Sequence, residues 1–321
     1  MRLAPQALAF MLLLVAVGLG TAQDVTPARD ATFRGGRRVL EADFHAHTRF
    51  SDGFLSPFDL VVQARRRGLD AFAVTEHNLV FPAQWARWFS GLVGGPTVIV
   101  GEEITAKHFH VIALGLERRV RAGSPLRAVA HEVHQQGGLV VAAHPVRRFW
   151  QSLVPARDVL DGAEIMHPIA FRGAAREGGG DEGEGGFRWD EMREFFEDAA
   201  RDGHALTAIG SSDYHFMSPL GVCRTYVFLE PGAASAHAAR PSEADVLAAL
   251  RSRSTVVIDA QGKAWGHPEL AAALAQEPLP ERELDYGYRG KGPLDRAARA
   301  LGFFALLGLV LLGAGARSRD D

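Results

Sequence analysis

Acid and imidazole side chains fall at the ends of short apolar runs in this chain. They occur as Asp43-Phe44-His45-Ala46-His47, Thr75-Glu76-His77-Asn78, Gly101-Glu102-Glu103-Ile104-Thr105, Phe109-His110-Val111, Ala143-His144-Pro145 and Ser211-Ser212-Asp213-Tyr214-His215. One such residue means little. Six clusters, each bordering a strand-like run, point to a polynuclear metal site and to metal-dependent hydrolysis. His45 and His47 are two apart, so on an extended segment both face one way, and Asp213 and His215 repeat that geometry. Asp52 follows in a Ser51-Asp52-Gly53 turn. Neutral imidazole and carboxylate are the ligands divalent metals take. A bridging carboxylate serves two cations about 3.5–4 Å apart, which together activate one water. Glu103, mid-domain after a hydrophobic strand, is the best candidate bridge.

Composition narrows the metal. Cys223 is the only cysteine, which excludes an intramolecular disulfide and a multi-cysteine zinc site. Imidazole and oxygen ligands suit Zn, Mn or Fe without choosing among them. The net charge of -3 gives no basic excess for non-specific nucleic-acid binding. With 321 residues, 47% of them apolar, the chain can bury a sizeable core as one large barrel-type domain plus extensions.

The positioning elements read as alternating strand and helix. Strands are expected at 39–44, 69–75, 97–101, 110–116 (paired with its predecessor), 139–143, 162–166, 205–210, 225–229 and 255–258. Helices are expected at 57–67, 82–92, 124–136 (Ser124 as N-cap, Pro125 at N1), 189–202 and 242–250. This βα order implies an α/β fold with a mainly parallel sheet, closed as a barrel or doubly wound. In a parallel barrel the functional groups gather at the C-terminal strand ends. Most clusters lie at such an end; His110 opens its run instead.

The ends differ. Arg2 precedes an apolar run over 7–19, and Gly20-Thr21-Ala22 supplies small residues for cleavage, so 1–22 reads as a signal peptide removed after Ala22. Residues 23–37 read as a linker and 38–260 as the catalytic domain, with a flexible Gly- and acid-rich loop at 171–188. Residues 261–296 read as a spacer, 297–316 as a transmembrane anchor and 317–321 as a tail. The uncharged run over 300–316 reaches about 25 Å as a helix, just short of a hydrocarbon core. The expected location is outside the cytoplasm, with the domain tethered to the membrane.

Five of the motifs, in this order and spacing, resemble the PHP (polymerase and histidinol phosphatase) family over roughly residues 39 to 260. Asp43-Phe44-His45-Ala46-His47-Thr48 through Ser51-Asp52-Gly53 is similar to its first motif and Thr75-Glu76-His77-Asn78 to its second. Gly101-Glu102-Glu103-Ile104-Thr105 is similar to its glutamate motif, Ala143-His144-Pro145 to its third, and Ser211-Ser212-Asp213-Tyr214-His215 to its last. The resemblance implies a distorted seven-stranded (β/α) barrel with up to three divalent metals. It implies His45, His47, Glu103 and Asp213 at one metal, Glu103, His110 and His144 at a second, and Asp52, His77 and His215 at a third. The implied activity is phosphoester hydrolysis by a metal-activated hydroxide, on nucleotide mono- or bisphosphates or nucleic-acid 5′ ends. Glu76 replaces the commoner Asp of the second motif. Asp52 stands where some members carry His, which softens the third site's preference for zinc.

Other residues compete for roles. His108 rivals His110; His110 is favoured because it adjoins the apolar run 111–114. His131 and His134 read as surface residues on a helix. His167 and Glu164 read as neighbours of the site, with Glu164 a candidate support for a ligand. Arg147 and Arg148 read either as a solvated basic pair or as a phosphate clamp. An amidohydrolase-like metallohydrolase commonly needs a carboxylated lysine bridge, and Lys107 is the only lysine near a motif. A non-catalytic metal-binding surface module is the alternative outside enzymes.

Overall fold

The structure is a computed structural model that describes residues 5–24, 28–168, 189–216, 218–280 and 292–317. The loop expected at 171–188 and the end of the tail lie outside the described residues. Contacts divide the chain into two units, one of 27–284 and one made of 1–26 with 285–321.

In the first unit, buried apolar runs make the strands. Ala71–Val74 (β3) and Leu139–Ala142 (β6) are wholly buried, as a strand covered on both faces must be. The others are β1 (Thr32–Arg34), β2 (Arg37–Asp43), β4 (Thr97–Ala106), β5 (Phe109–Leu114), β7 (Gly162–Met166), β8 (Thr207–Gly210), β9 (Thr225–Phe228), β10 (Thr255–Ile258) and β11 (Ala264–Gly266). One sheet runs in the order β11-β10-β9-β2-β3-β4-β5-β6-β7-β8, with β1 beside β2. The fully buried Phe44, Phe72, Phe195 and Phe228 are the bulkiest core side chains.

The sheet is mixed, which corrects the expectation of a mainly parallel one. Among the described strands, the parallel pairs are β2–β3, β3–β4, β6–β7 and β7–β8. β5 runs antiparallel to both β4 and β6, so a hairpin interrupts the βα rhythm. Its pairing with β4 is as expected, but β4 continues past Gly101 to Ala106. The sheet path also has more strands than the seven expected.

Threonine hydroxyls bring the two sides of the sheet together. Thr225 Oγ1 on β9 accepts from Gly210 N (2.9 Å) and donates to Gly210 O (2.8 Å) on β8. Thr255 Oγ1 on β10 donates to Ala208 O at 2.9 Å. A Cβ on Gly210 would come within 2.8 Å of Arg224 O, so glycine permits this approach. The result is a nearly closed barrel.

After α1 (Pro5–Gln23) in the other unit, the described helices are α2 (Pro57–Arg66), α3 (Phe81–Val93), α4 (Leu126–Gln135), α5 (Arg147–Leu153), α6 (Trp189–Arg201), α7 (Glu243–Arg251) and α8 (Pro268–Gln276). Ser56 caps α2 by accepting from Asp59 N at 3.1 Å, with Pro57 in the first turn. Ser242 caps α7 in the same way. α4 begins one residue later than expected. Pro125 takes the cap position in extended backbone, and its carbonyl accepts from Ala128 N and Val129 N. The stretch read as linker contains β1, and the stretch read as spacer contains β11 and α8. Three-residue strands are too short to show a period.

The second unit holds α1 (Pro5–Gln23) and α9 (Pro293–Arg317). Among the described residues, the one stretch long and apolar enough to cross a bilayer by length and composition is in α1, Pro5–Ala22.

Candidate metal centre

Backbone pairing beyond the named strands brings the motifs together. Past the end of β2, Ala46 forms a parallel bridge with Tyr214, with His47 N donating to Tyr214 O at 2.9 Å. The His-x-His and Asp-x-His segments therefore run side by side. His77 bridges Glu103 in the same way, with Glu103 N on Glu76 O at 3.1 Å. Three non-glycine residues here have positive φ: Asn78 (56°), His144 (29°) and Asp213 (42°). Such backbone costs of order 1–3 kcal/mol per residue and persists only where surroundings impose it.

All nine side chains read from the sequence converge. Their donor atoms form three groups: His45, His47 and Asp213; Glu103, His110 and His144; and His47, Asp52, His77 and His215. Glu103, almost fully buried, stands between the groups. Its Oε1 lies 2.9 Å from His110 Nδ1 and 3.3 Å from His144 Nε2. Its Oε2 lies 2.7 Å from His77 Nδ1, 3.5 Å from His47 Nε2 and 3.6 Å from His45 Nε2. His47 belongs to two groups by distance, and a neutral imidazole ligates through one nitrogen, so it could serve only one cation.

The donor set fits a divalent cation. His45 Nε2, His47 Nε2, Glu103 Oε2 and Asp213 Oδ1 are buried and make no hydrogen bond. Each imidazole nitrogen is 3.1 Å from Asp213 Oδ1 without hydrogen-bond alignment. Tetrahedral ligands at about 2.1 Å from a metal stand roughly 3.4 Å from one another. Four orphaned polar atoms at nearly that spacing are costly unless a cation satisfies them.

Exposure grades across the centre. His45 and His47 are fully buried, whereas the Asp52 side chain is 52% exposed and His77 and His215 are about a quarter exposed. The third group therefore forms the mouth. Phe54 and Phe216 beside it are exposed, and Phe54 N donates to His215 O at 2.9 Å.

Charge follows this arrangement. Burial opposes ionisation of Glu103 and Asp213, but the His45 imidazole and its neighbours hold both carboxyls well below their ordinary range. Burial likewise opposes charging of His45, yet Asp213, Glu164 and Glu103 raise it well above the ordinary histidine value. His77 rises to about 9 against burial, through Glu103 and Asp52. Burial lowers His47 and His144.

A second layer fixes the donors. Glu164 Oε1 meets His45 Nδ1 at 2.9 Å, and its Oε2 accepts from His144 N. His45 Nε2 is thereby aimed into the centre. His167 Nε2 lies 2.9 Å from Asp213 Oδ2. Asp43 points beneath the centre, accepting from Ser212 N at 3.0 Å and Gly221 N at 2.7 Å. Its role was missed in the sequence, although it precedes His45 by two residues in the same motif. Gly53 lies against His47; a Cβ there would sit 2.3 Å from His47 O.

The competing residues sort by position. His110 is in the cluster, stacked on Phe149 with ring centroids 4.7 Å apart. His108 and Lys107 are exposed at the β4–β5 turn, away from the three groups. His131 and His134 are exposed on α4. Arg147 pairs with Glu194 at 2.7 Å and Glu191 at 3.7 Å. The Arg148 guanidinium lies 4.5 Å from the centre of the Phe149 ring that stacks on His110.

No family model matches the chain. An uncharacterized protein of Methanocaldococcus jannaschii is 26% identical over 142 residues, which is 40% of this chain and 82% of that protein. Among solved structures, one resembles the chain with a TM-score of 0.51 and 22% identity, over 73% of this chain and 68% of the other. It is a two-domain protein from Bacteroides vulgatus containing a predicted PHP-like metal-dependent phosphoesterase. A proposed metal-dependent phosphoesterase from Bifidobacterium adolescentis has a TM-score of 0.41 at 20% identity, over 69% of this chain and 98% of its own. An amidohydrolase from Chromobacterium violaceum, with bound sulfate and no metal, has a TM-score of 0.41 at 16% identity, over 69% and 99%. In fold, the chain resembles the PHP-like protein, as its motifs do.

Proposed function

We propose that the barrel is a divalent-metal-dependent phosphoesterase. The observation that carries this is Glu103, whose two carboxylate oxygens face separate sets of buried imidazoles. His45, His47 and Asp213 would hold one cation with it, and His110 and His144 a second. Asp52, His77 and His215 would hold a third at the mouth. Bound cations of this kind lower the pKa of water and neutralise charge developing on a phosphoryl group. The protein's part is to hold neutral imidazole donors, keep the inner pair dry and admit the ester over the exposed third group.

Substrate contacts follow from the rim. The Arg148 guanidinium lies on the Phe149 ring that stacks on His110, so Arg148 is the proposed phosphate contact by its place beside the second group. Exposed Phe54 and Phe216 offer flat apolar surfaces beside the mouth, which suits a nucleotide whose base stacks while its phosphate reaches the metals. The barrel would act outside the cytoplasm, held to the membrane by α9. The test is purified protein, stripped of metal and reloaded with Zn, Mn or Fe, assayed on a panel of nucleotide and non-nucleotide phosphoesters. Metal-restored release of phosphate is expected. A protein that binds two or more cations per chain and hydrolyses none of the panel would be a binding module instead.

A further inference from the structure

We propose that α1 is not removed but stays in the mature protein, pairing with α9 as a two-helix hairpin in the lipid bilayer. The contact between these helices is made by small residues. A Cβ on Gly302 would lie 3.4 Å from Ala16 Cβ, and one on Gly308 would lie 3.8 Å from Ala9 Cβ. Contacts move down α1 as they move up α9, so the helices are antiparallel. Ala9 and Ala16 on α1 and Ala298 and Ala305 on α9 are buried. Positions 298, 302 and 305 recur every three or four residues, the spacing that lets two helices approach closely in a membrane.

The large side chains point the other way. Phe10, Leu14, Val17, Phe303, Val310 and Leu311 are each more than half exposed. A water-soluble helical hairpin buries its large apolar residues and exposes small or polar ones. Here the order is inverted, and hydrocarbon is the medium that suits it. The lengths agree too. The 18-residue apolar window of α1 is about 27 Å long; the uncharged run at 300–316 in α9 is one residue under that length, about 25 Å, which a modestly thin bilayer accommodates.

Retention follows from the same contacts. α1 runs unbroken through Gly20-Thr21-Ala22 to Gln23, with Thr21 Oγ1 donating to Val17 O at 3.0 Å. A signal protease needs extended backbone at its cleavage site, which this helix withholds. Loss of residues 1–22 would also strip α9 of Ala9 and Ala16. In sequence, Arg2 lies before α1, Arg317 closes α9 and Arg319 follows it. Antiparallel pairing puts the start of α1 and the end of α9 on one side, and the basic residues flanking both in sequence assign that side to the cytoplasm. The other end gathers Asp24, Asp295 and Arg299, with Asp295 and Arg299 paired at 2.9 Å.

The experiment uses the full chain in native membranes. In a Cys223→Ser background, Ala16→Cys with Gly302→Cys and Ala9→Cys with Gly308→Cys place Cβ atoms at disulfide range. After mild oxidation and proteolysis of the exposed barrel, both pairs should leave the two terminal fragments joined until reduced. Phe10→Cys with Phe303→Cys, on outward faces, should not. Intact mass of the membrane-extracted parent should include residues 1–22. A mature chain that begins at Gln23, or the failure of both inner pairs to join, overturns the proposal. Neither outcome bears on hydrolysis by the barrel.

Discussion

Glu103→Gln preserves shape and removes one charge from the middle of the centre. Glutamine cannot present two anionic oxygens, so one of its faces turns an amide N–H toward imidazoles. Without metal, the parent carboxylate holds His110 at 2.9 Å and His144 at 3.3 Å. Charge-assisted bonds contribute about 1.5–3 kcal/mol each when well made. Allowing for the longer second bond, the metal-free mutant should lose about 3 kcal/mol, or roughly 6–12 °C in Tm for a domain near 250 residues. Metal amplifies the difference. At a thousand times Kd, one bound cation stabilises the parent by about 4.1 kcal/mol. If the substitution weakens binding about 100-fold, the same metal concentration gives only about 1.4 kcal/mol per site. Differential scanning fluorimetry with and without Zn or Mn reads this shift, and elemental analysis counts ions per chain. A mutant that keeps the parent's metal content and the parent's metal-dependent rise in Tm would refute the bridging role.

Metal affinity should rise with pH. His77 lies near 9 in the metal-free protein, so below that pH a proton must leave before its nitrogen can ligate. Binding at the mouth should strengthen about tenfold per pH unit between roughly 6.5 and 9 in competition titrations, and a flat profile would remove His77 from the ligand set. Gly53→Ala places a methyl against His47 O, where no side chain can yield; loss of activity and a fall in Tm of several degrees are expected, with unchanged values showing the contact to be slack. Arg148→Ala, which removes the guanidinium on the Phe149 ring that stacks on His110, should raise KM about 10- to 100-fold with kcat little changed, and kinetics that match the parent's would discard the phosphate contact. Phe54→Ala with Phe216→Ala should raise KM for nucleotides and spare phosphoesters without a base; equal effects on both would discard the stacking surface.

His45 and His47 were legible because extended backbone has a period of two, and both reach Asp213 Oδ1 at 3.1 Å; Asp213 and His215 share the spacing but not the geometry, since Asp213 is left-handed and the two fall in different groups. The same period explains Glu102 and Glu103, adjacent acids read as the end of a strand. They lie inside β4 and face opposite ways. Glu103 faces the imidazoles, while Glu102 accepts from Val120 N and is pushed by burial to about 7. Charge hid the strand because two acids in an apolar run look like a boundary. Strand direction left no mark at all. Nothing in the runs 97–101 and 110–116 distinguishes the antiparallel hairpin of β4 and β5 from a crossover, except the short gap between them, and that gap did signal their pairing. Barrel closure was hidden for another reason: it depends on Thr225 and Thr255, whose hydroxyls reach β8 from strands distant in sequence. His167 and Glu164, flagged only as neighbours, carried a usable signal, since they end or sit within a strand as the other donors do. What separates them from ligands is where each points, with His167 on Asp213 and Glu164 on His45. The left-handed backbone at His144 and Asp213 belongs to the same layer. Ordinary residues take that conformation only under constraint, and here Glu164 receives His144 N while Asp213 is flanked by His45 O on Tyr214 N and by Asp43 on Ser212 N. The acids that bind no metal in this scheme therefore hold the strained backbone from which the acids and imidazoles that do bind it are aimed.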